Sequence, residues 1–332
     1  MTSTRTGGTA DTVPETTTAA QRTLGAGLAF LGGVSLAVQS RLNGQLAGQI
    51  GDGVVTALIS FGGGLLLLAL VVPAVPPGRR GLRRLRGALR GGGLRWWQTL
   101  GGACGAYLVA TQGLTVGVLG VAVFTVAVVA GQVVSGLLVD GLGLGPTGPQ
   151  PVTATRVAGA VLAVVAVVVS VAGGLGGSRG LWLAVLPALA GIGTAWQQAV
   201  NGRVRGASGN AFVAALVNFS VGTAALLLAV AVDVPLRGRP AVTSAPWWLY
   251  LGGLLGIVVI ATAAAAVRYV GVLVVGLCSV AGLLVGAVLL DLVVPAPGRH
   301  LAVTTLVGAA IILVAVAVAT VPSRRAPNGR RF

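Results

Sequence analysis

The chain has 332 residues, of which 55% are hydrophobic and only 8% charged, and its mean hydropathy is +0.95. A soluble domain usually carries about 25% charged residues, so composition excludes an ordinary soluble fold and indicates a polytopic helical membrane protein. The net charge of +16 comes from 22 basic residues, all arginine. They stand between and beyond the apolar runs, where orientation signals belong, so the charge gives no reason to invoke nucleic acid.

Residues 1–22 are rich in Thr and Ala, include Asp11 and Glu15 and lack an apolar run; they are expected to form a disordered cytoplasmic tail. Ten apolar runs follow, each about long enough to cross a hydrocarbon core of ~30 Å. The predicted spans are 24–42, 53–75, 96–115, 118–139 and 156–174, then 180–200, 209–232, 247–267, 271–290 and 301–321. The first run is read as a retained helix and not a signal peptide, because acidic residues lie upstream and many spans follow. The organisation is therefore a tail, a first five-helix repeat over 23–175, a second over 176–321, and a basic cytoplasmic tail over 322–332.

The division into repeats comes from scarce residues that recur in order. Asn43-Gly44 and Phe61 recur 158 residues later as Asn201-Gly202 and Phe219. Trp96-Trp97, Gly101, Gly105, Gly120 and Asp140 recur 151 residues later as Trp247-Trp248, Gly252, Gly256, Gly271 and Asp291. Five spans per copy is an odd number, so the second copy enters from the opposite side, giving an all-α inverted repeat of the kind that holds substrate between its halves.

Orientation follows from arginine placement. The loop from Pro76 to Arg95 holds seven arginines and no acid, which makes it cytoplasmic, with both termini on the same side. The tally is then 17 arginines inside against five outside: Arg41, Arg179, Arg237, Arg239 and Arg299.

Polar side chains within spans are costly in hydrocarbon and are the natural site candidates. Gln39, Ser40 and Asn43 stand at the far end of the first span, and Gln197, Gln198 and Asn201 at the matching end of the sixth. The two asparagines could equally cap those helix ends. Ser60 and Asn218 lie in the second and seventh spans. Tyr107, Thr111 and Gln112 lie in the third, and Gln132 lies deep in the fourth. Gln39, Asn43, Tyr107, Gln132, Gln197, Gln198, Asn201 and Asn218 form the candidate substrate path. Gly101, Gly105, Gly252 and Gly256 read as helix-packing positions, and Trp96, Trp97, Trp247 and Trp248 as interfacial anchors. The fifth and tenth spans are nearly devoid of polar groups and suit the lipid-facing periphery.

Asp140 and Asp291 are expected at helix ends on opposite faces, in structural roles, although a part in the transport cycle stays open. Cys104 and Cys278 lie in apolar runs at non-equivalent positions, and give no reason to expect a disulfide or metal site. A membrane-embedded enzyme would need convergent acids, a histidine or a nucleophile with its base. The only histidine, His300, falls in a short loop, so no catalytic residue, cofactor or metal is expected.

The elements Asn43-Gly44, Ser60-Phe61-Gly62-Gly63, Trp96…Gly101-Gly102…Gly105 and Gly131-Gln132…Asp140-Gly141-Leu142-Gly143 resemble the YdcZ-like family of inner-membrane exporters, within the drug/metabolite transporter superfamily. The second copy departs from this pattern, with Leu283 in place of Gln132 and Leu292 in place of Gly141. The resemblance implies a multi-pass protein of the cytoplasmic membrane that exports a small molecule or metabolite by alternating access. The implied partners are the lipid bilayer and a small-molecule substrate, and a homodimer is compatible with the pattern. The alternative is a non-transporting accessory or channel-like membrane protein.

Overall fold

The computed structural model describes residues 18–144, 149, 152–172, 178–237, 244–295 and 302–320. Ten helices are formed: α1 (Ala19–Ile50), α2 (Gly53–Ala74), α3 (Pro76–Arg90), α4 (Gly102–Leu119), α5 (Val121–Gly141), α6 (Ala154–Ala172), α7 (Ser178–Ser208), α8 (Ala211–Arg237), α9 (Gly252–Val293) and α10 (Val303–Thr320). Short 3-10 turns over Trp96–Thr99 and Trp247–Leu251 lead into α4 and α9. Among the described residues nine apolar helical segments are long enough to cross a membrane, and Val303–Ala319 is a shorter apolar helix.

Several of these helices differ from the expected spans, and two of the differences bear on the site. The first helix was expected over 24–42 but starts at Ala19, behind a capping box formed by Thr18 and Gln21, so it includes residues 19–22 of the expected tail; residues 1–17 lie outside the described part. It continues to Ile50, where Gly51 at φ 75° ends it. Asp52 then accepts hydrogen bonds from the Val54 and Val55 amides and caps α2. The same device recurs in the second repeat, where Gly209 has φ 64° and Asn210 caps α8 through the Phe212 and Val213 amides. Glycine is required at both turns because the left-handed conformation is costly with a Cβ. Asn43 and Asn201 are therefore interior to their helices and cap neither.

The second difference is α9. It keeps helical geometry over 42 residues but doubles back. Gly252 lies against Asn43, Thr262 against Gly32 and Tyr269 against Gly25; Gly282 then lies against Phe30 and Gly286 against Val34 and Ala37. The contact point on α1 thus runs from 43 down to 25 and back up. The two limbs are the expected eighth and ninth spans, antiparallel to each other.

Close glycine crossings show how the repeats interlock. A Cβ at Gly102 would stand 2.0 Å from the Asn218 carbonyl oxygen, and one at Gly253 would stand 2.1 Å from that of Ser60. Gly131 meets the Ala188 carbonyl and Gly282 that of Phe30, while Gly191 meets Val128 and Gly33 meets Ser279, each at 2.0 Å. Every pair obeys the 158- and 151-residue offsets, and every contact crosses from one repeat to the other. α1 therefore packs into the two limbs of α9, α7 packs into α4 and α5, and α2 meets α8 at the pseudo-twofold axis. There the Phe61 and Phe219 rings lie 5.0 Å apart. α6 and α10 pair with each other through Gly159 against Ala315 and Gly308 against Ala166 and Ser170, and α6 turns Val157, Val161, Val164 and Val168 outward.

α3 belongs to the first repeat and has no helical mate among the described residues. Its buried face is Gly78, Gly81 and Leu85, with Leu82 half-buried. Gly81 rests on Ser208, Asn210 and Val213 at the α7–α8 turn, and the helix carries six exposed arginines, of which Arg84 reaches over Gly209 of that turn. This is an interfacial amphipathic helix rather than a simple loop.

Candidate substrate path

The sequence puts polar side chains at matching points of α1 and α7, and the interlock carries each set against the opposite repeat. At the α1 end, Asn43 Nδ2 donates to Gln112 Oε1 at 2.6 Å, and Gln112 Nε2 donates to Ser40 Oγ at 3.0 Å. Asn43, Ser40 and Gln112 are all buried. Gly252 closes this layer: with no Cβ it leaves room beside Asn43 Oδ1 and Ser60 Oγ, both buried without a hydrogen-bond partner. Gln39 is buried next to Gly256.

At the α7 end, Gln197 Nε2 and Asn201 Nδ2 both donate to Asn218 Oδ1, at 2.9 and 3.0 Å. Gly101 and Gly105 of the α4 segment sit against Asn201 and Gln197. The packing glycines thus form one wall of each polar layer. α4 links the layers, with Gly101 at Asn201 and Gln112 at Asn43; eleven residues of helix separate them by about 16 Å. The Phe61–Phe219 pair lies between, and Phe219 also touches Gly256.

The other candidates are placed apart. Gln132 is half-buried on α5, near the α5–α7 crossing, where Gly191 meets Val128 and the Gln132 backbone. Its side chain joins neither layer. Gln198 is exposed on α7. Tyr107 is exposed and reaches the Leu186 carbonyl at 3.4 Å. Trp96 and Trp247 are 71% exposed at the starts of their segments.

Three features were not part of the candidate substrate path, although Gln112 was among the polar residues noted within spans. Gln112 joins the Asn43 layer and has Ala263 as its repeat mate. Arg41, expected at the outer end of the first span and counted as outside, is buried within α1 and pairs with Asp291 at 2.5 Å. The Asp291 carboxylate also accepts the Val121 and Ala122 amides at 3.0 and 2.7 Å. It therefore does sit at a helix end, as expected, but the end is that of α5 and the group is buried. The side chain of Asp140 lies outside the described residues. The third feature is Arg203, which donates to the Leu144 and Gly143 carbonyls at 2.5 and 2.7 Å.

The α1 end also holds a cavity of about 590 Å³, lined by Arg41, Gly44, Gln45, Gln49, Val116, Trp248 and Pro295 among others. Gln45 and Pro295 are the repeat mates of Arg203 and Leu144. The positions that face each other across the cavity at one end are thus bridged by Arg203 at the other. No group of three or more metal-ligating side chains occurs among the described residues.

Two interlocked, inverted five-helix repeats with polar layers at their interface define a secondary-transporter bundle of the drug/metabolite type. The chain belongs to the family described as "Putative inner membrane exporter, YdcZ", whose model matches residues 24–169 and again 182–318. Its two matched segments coincide with the two repeats. Four solved chains are similar. One, titled "Crystal structure of protein", covers 91% of this chain and 97% of its own at 19% identity and a TM-score of 0.50, a likeness of fold alone. No curated protein matches the chain.

Proposed function

We propose that the protein exports a small polar molecule across the cytoplasmic membrane by alternating access between its two repeats. The observation that carries this reading is the unequal state of two equivalent ends. Gln45 and Pro295 border an open cavity above the Asn43 layer, whereas Arg203 and Leu144 are joined below the Asn201 layer. Equivalent contacts made at one end and unmade at the other are what an inverted repeat exchanges as access alternates. The polar layers supply donors and acceptors for a solute that has left water.

The arginine pattern orients this cycle. α3 and its six exposed arginines pack at the Asn201 end, so that end is cytoplasmic and the cavity opens outward. Removing Arg41 from the loop tally lowers the outside count from five to four and strengthens the bias. The test is counterflow in proteoliposomes: vesicles loaded with fractionated cell metabolites and assayed for exchange should show saturable flux, abolished when Gln45 and Pro295 are both replaced by Cys and cross-linked. Flux that rises without saturation would identify a channel instead.

A further inference from the structure

We propose that the exported molecule carries a carboxylate or comparable oxyanion, and that this group binds the unshared part of the Arg41 guanidinium on the floor of the cavity. The proposal rests on the transport reading above and names its substrate class. Arg41 and Asp291 form the one salt bridge among the described residues, and each is less than 10% exposed. A buried charge in a membrane span needs a reason, because desolvation must be offset by its partners.

Asp291 is fully provided for, since α5 gives it two amides in addition to Arg41. Arg41 is not. Its Nη2 serves Asp291 and the Leu290 carbonyl at 3.3 Å. Its Nε is buried without a partner, and its Nη1 finds none among the described residues. An arginine that only tied α1 to α9 would have no need to leave these donors free; three of its five N–H groups are unused.

The surroundings select an anion. Arg41 and Asp291 cancel in net charge, but Arg41 lines the cavity while the Asp291 carboxylate is turned into the α5 amides, so the charge presented to a solute is positive. No carboxylate stands among the described residues that line the cavity, so a cation would find no counter-charge there. Trp248 and Val116 line the same cavity and give the organic part of such a molecule an apolar wall. Position 199, the repeat mate of Arg41, is Ala, so the anion would find this site at one end of the bundle only.

The test is protection of a cysteine on the cavity wall. In a Cys104→Ala, Cys278→Ala background carrying Gln45→Cys, reaction with a maleimide is followed in detergent with benzoate, lactate, succinate or inorganic phosphate, and with benzamide and lactamide as neutral controls. At least one acid should slow labelling by about fivefold or more, while its amide does not. Protection should vanish in Arg41→Gln combined with Asp291→Asn, which removes both charges together, once its melting temperature shows that it is folded. If that variant does not fold, the acid-against-amide comparison in the parent decides. Equal protection by acids and amides, protection by none of the anions, or protection that survives in the folded double variant would each overturn the proposal. Saturable flux of a neutral or cationic solute without anion protection would defeat the anion site and leave transport standing. Anion protection without flux of any solute would defeat the transport reading instead.

Discussion

Adding one methyl group at Gly253 tests the interlocked architecture directly. Its Cβ would stand 2.1 Å from the Ser60 carbonyl oxygen, whereas ordinary contact begins at 3.4 Å. α2 and α9 would have to separate by about 1.3 Å, and because the obstacle is backbone, no rotamer change can relieve it. Overpacking of this kind costs about 1–3 kcal/mol. Gly62 and Gly63, in α2 itself, have nothing within 4 Å of a Cβ, so alanine there should gain the usual helix-propensity benefit of up to ~1 kcal/mol. The contrast between Gly253→Ala and Gly62→Ala should therefore be on the order of 1–4 kcal/mol, readable as a shift of degrees in the detergent melting midpoint. Gly102→Ala faces the equivalent Asn218 carbonyl at 2.0 Å and should behave like Gly253→Ala. If either crossing variant melts at or above the parent while Gly62→Ala is unchanged, the cross-repeat contact is misplaced and the derived packing fails with it.

Gln112→Leu should strand the Asn43 amide without its acceptor; a loss of about 1–3 kcal/mol in stability is expected, with reduced flux per folded molecule, and normal melting would remove Gln112 from the layer. Gln132→Leu should leave both flux and melting near parental values, because its side chain joins neither polar layer; a tenfold loss of flux, about 1.4 kcal/mol, would return it to the path. A single Cys at Arg83, in a Cys-free background, should resist an impermeant thiol reagent added to intact cells, and ready labelling would reverse the assigned orientation.

Scarce residues made the fold legible. Asn, Phe and Trp recurring at fixed offsets in a chain of Ala, Val, Leu and Gly revealed the repeat, and the odd span count gave its inversion. Helix limits were less clear, because Arg41 and Asn43 look like a water-facing end. The stronger stop signals lay further on, in Gly51-Asp52 and Gly209-Asn210, but a polar run ahead of them drew the boundary inward. The same error hid the ion pair: an arginine placed at the water-facing end of a span has no reason to seek an acid 250 residues away. Gln132 was chosen for depth, yet depth along a helix does not say which face a residue occupies. Gln112 stood only three residues from the end of its expected span, and only the crossing of α1 with α4 shows that it meets Asn43.

The repeats share their packing but not their chemistry, and that difference would set the balance of the proposed cycle. Exchanging equivalent glycine crossings between the two ends changes little in contact energy, since each crossing has a mate at nearly the same distance. A bundle built only of such pairs would favour neither access state. The bias must come from unlike mates: Arg41 against Ala199, Gln112 against Ala263, and Arg203 against Gln45. Two of these strengthen the α1 end as a polar site, and the third gives the α7 end a charge-assisted latch on the Gly143 and Leu144 carbonyls. A hydrogen bond from a charged donor contributes about 1.5–3 kcal/mol, enough to shift a two-state population tenfold or more. If the proposed cycle holds, its resting form is therefore the one with the α7 end latched, a bias set by three positions at which the halves differ.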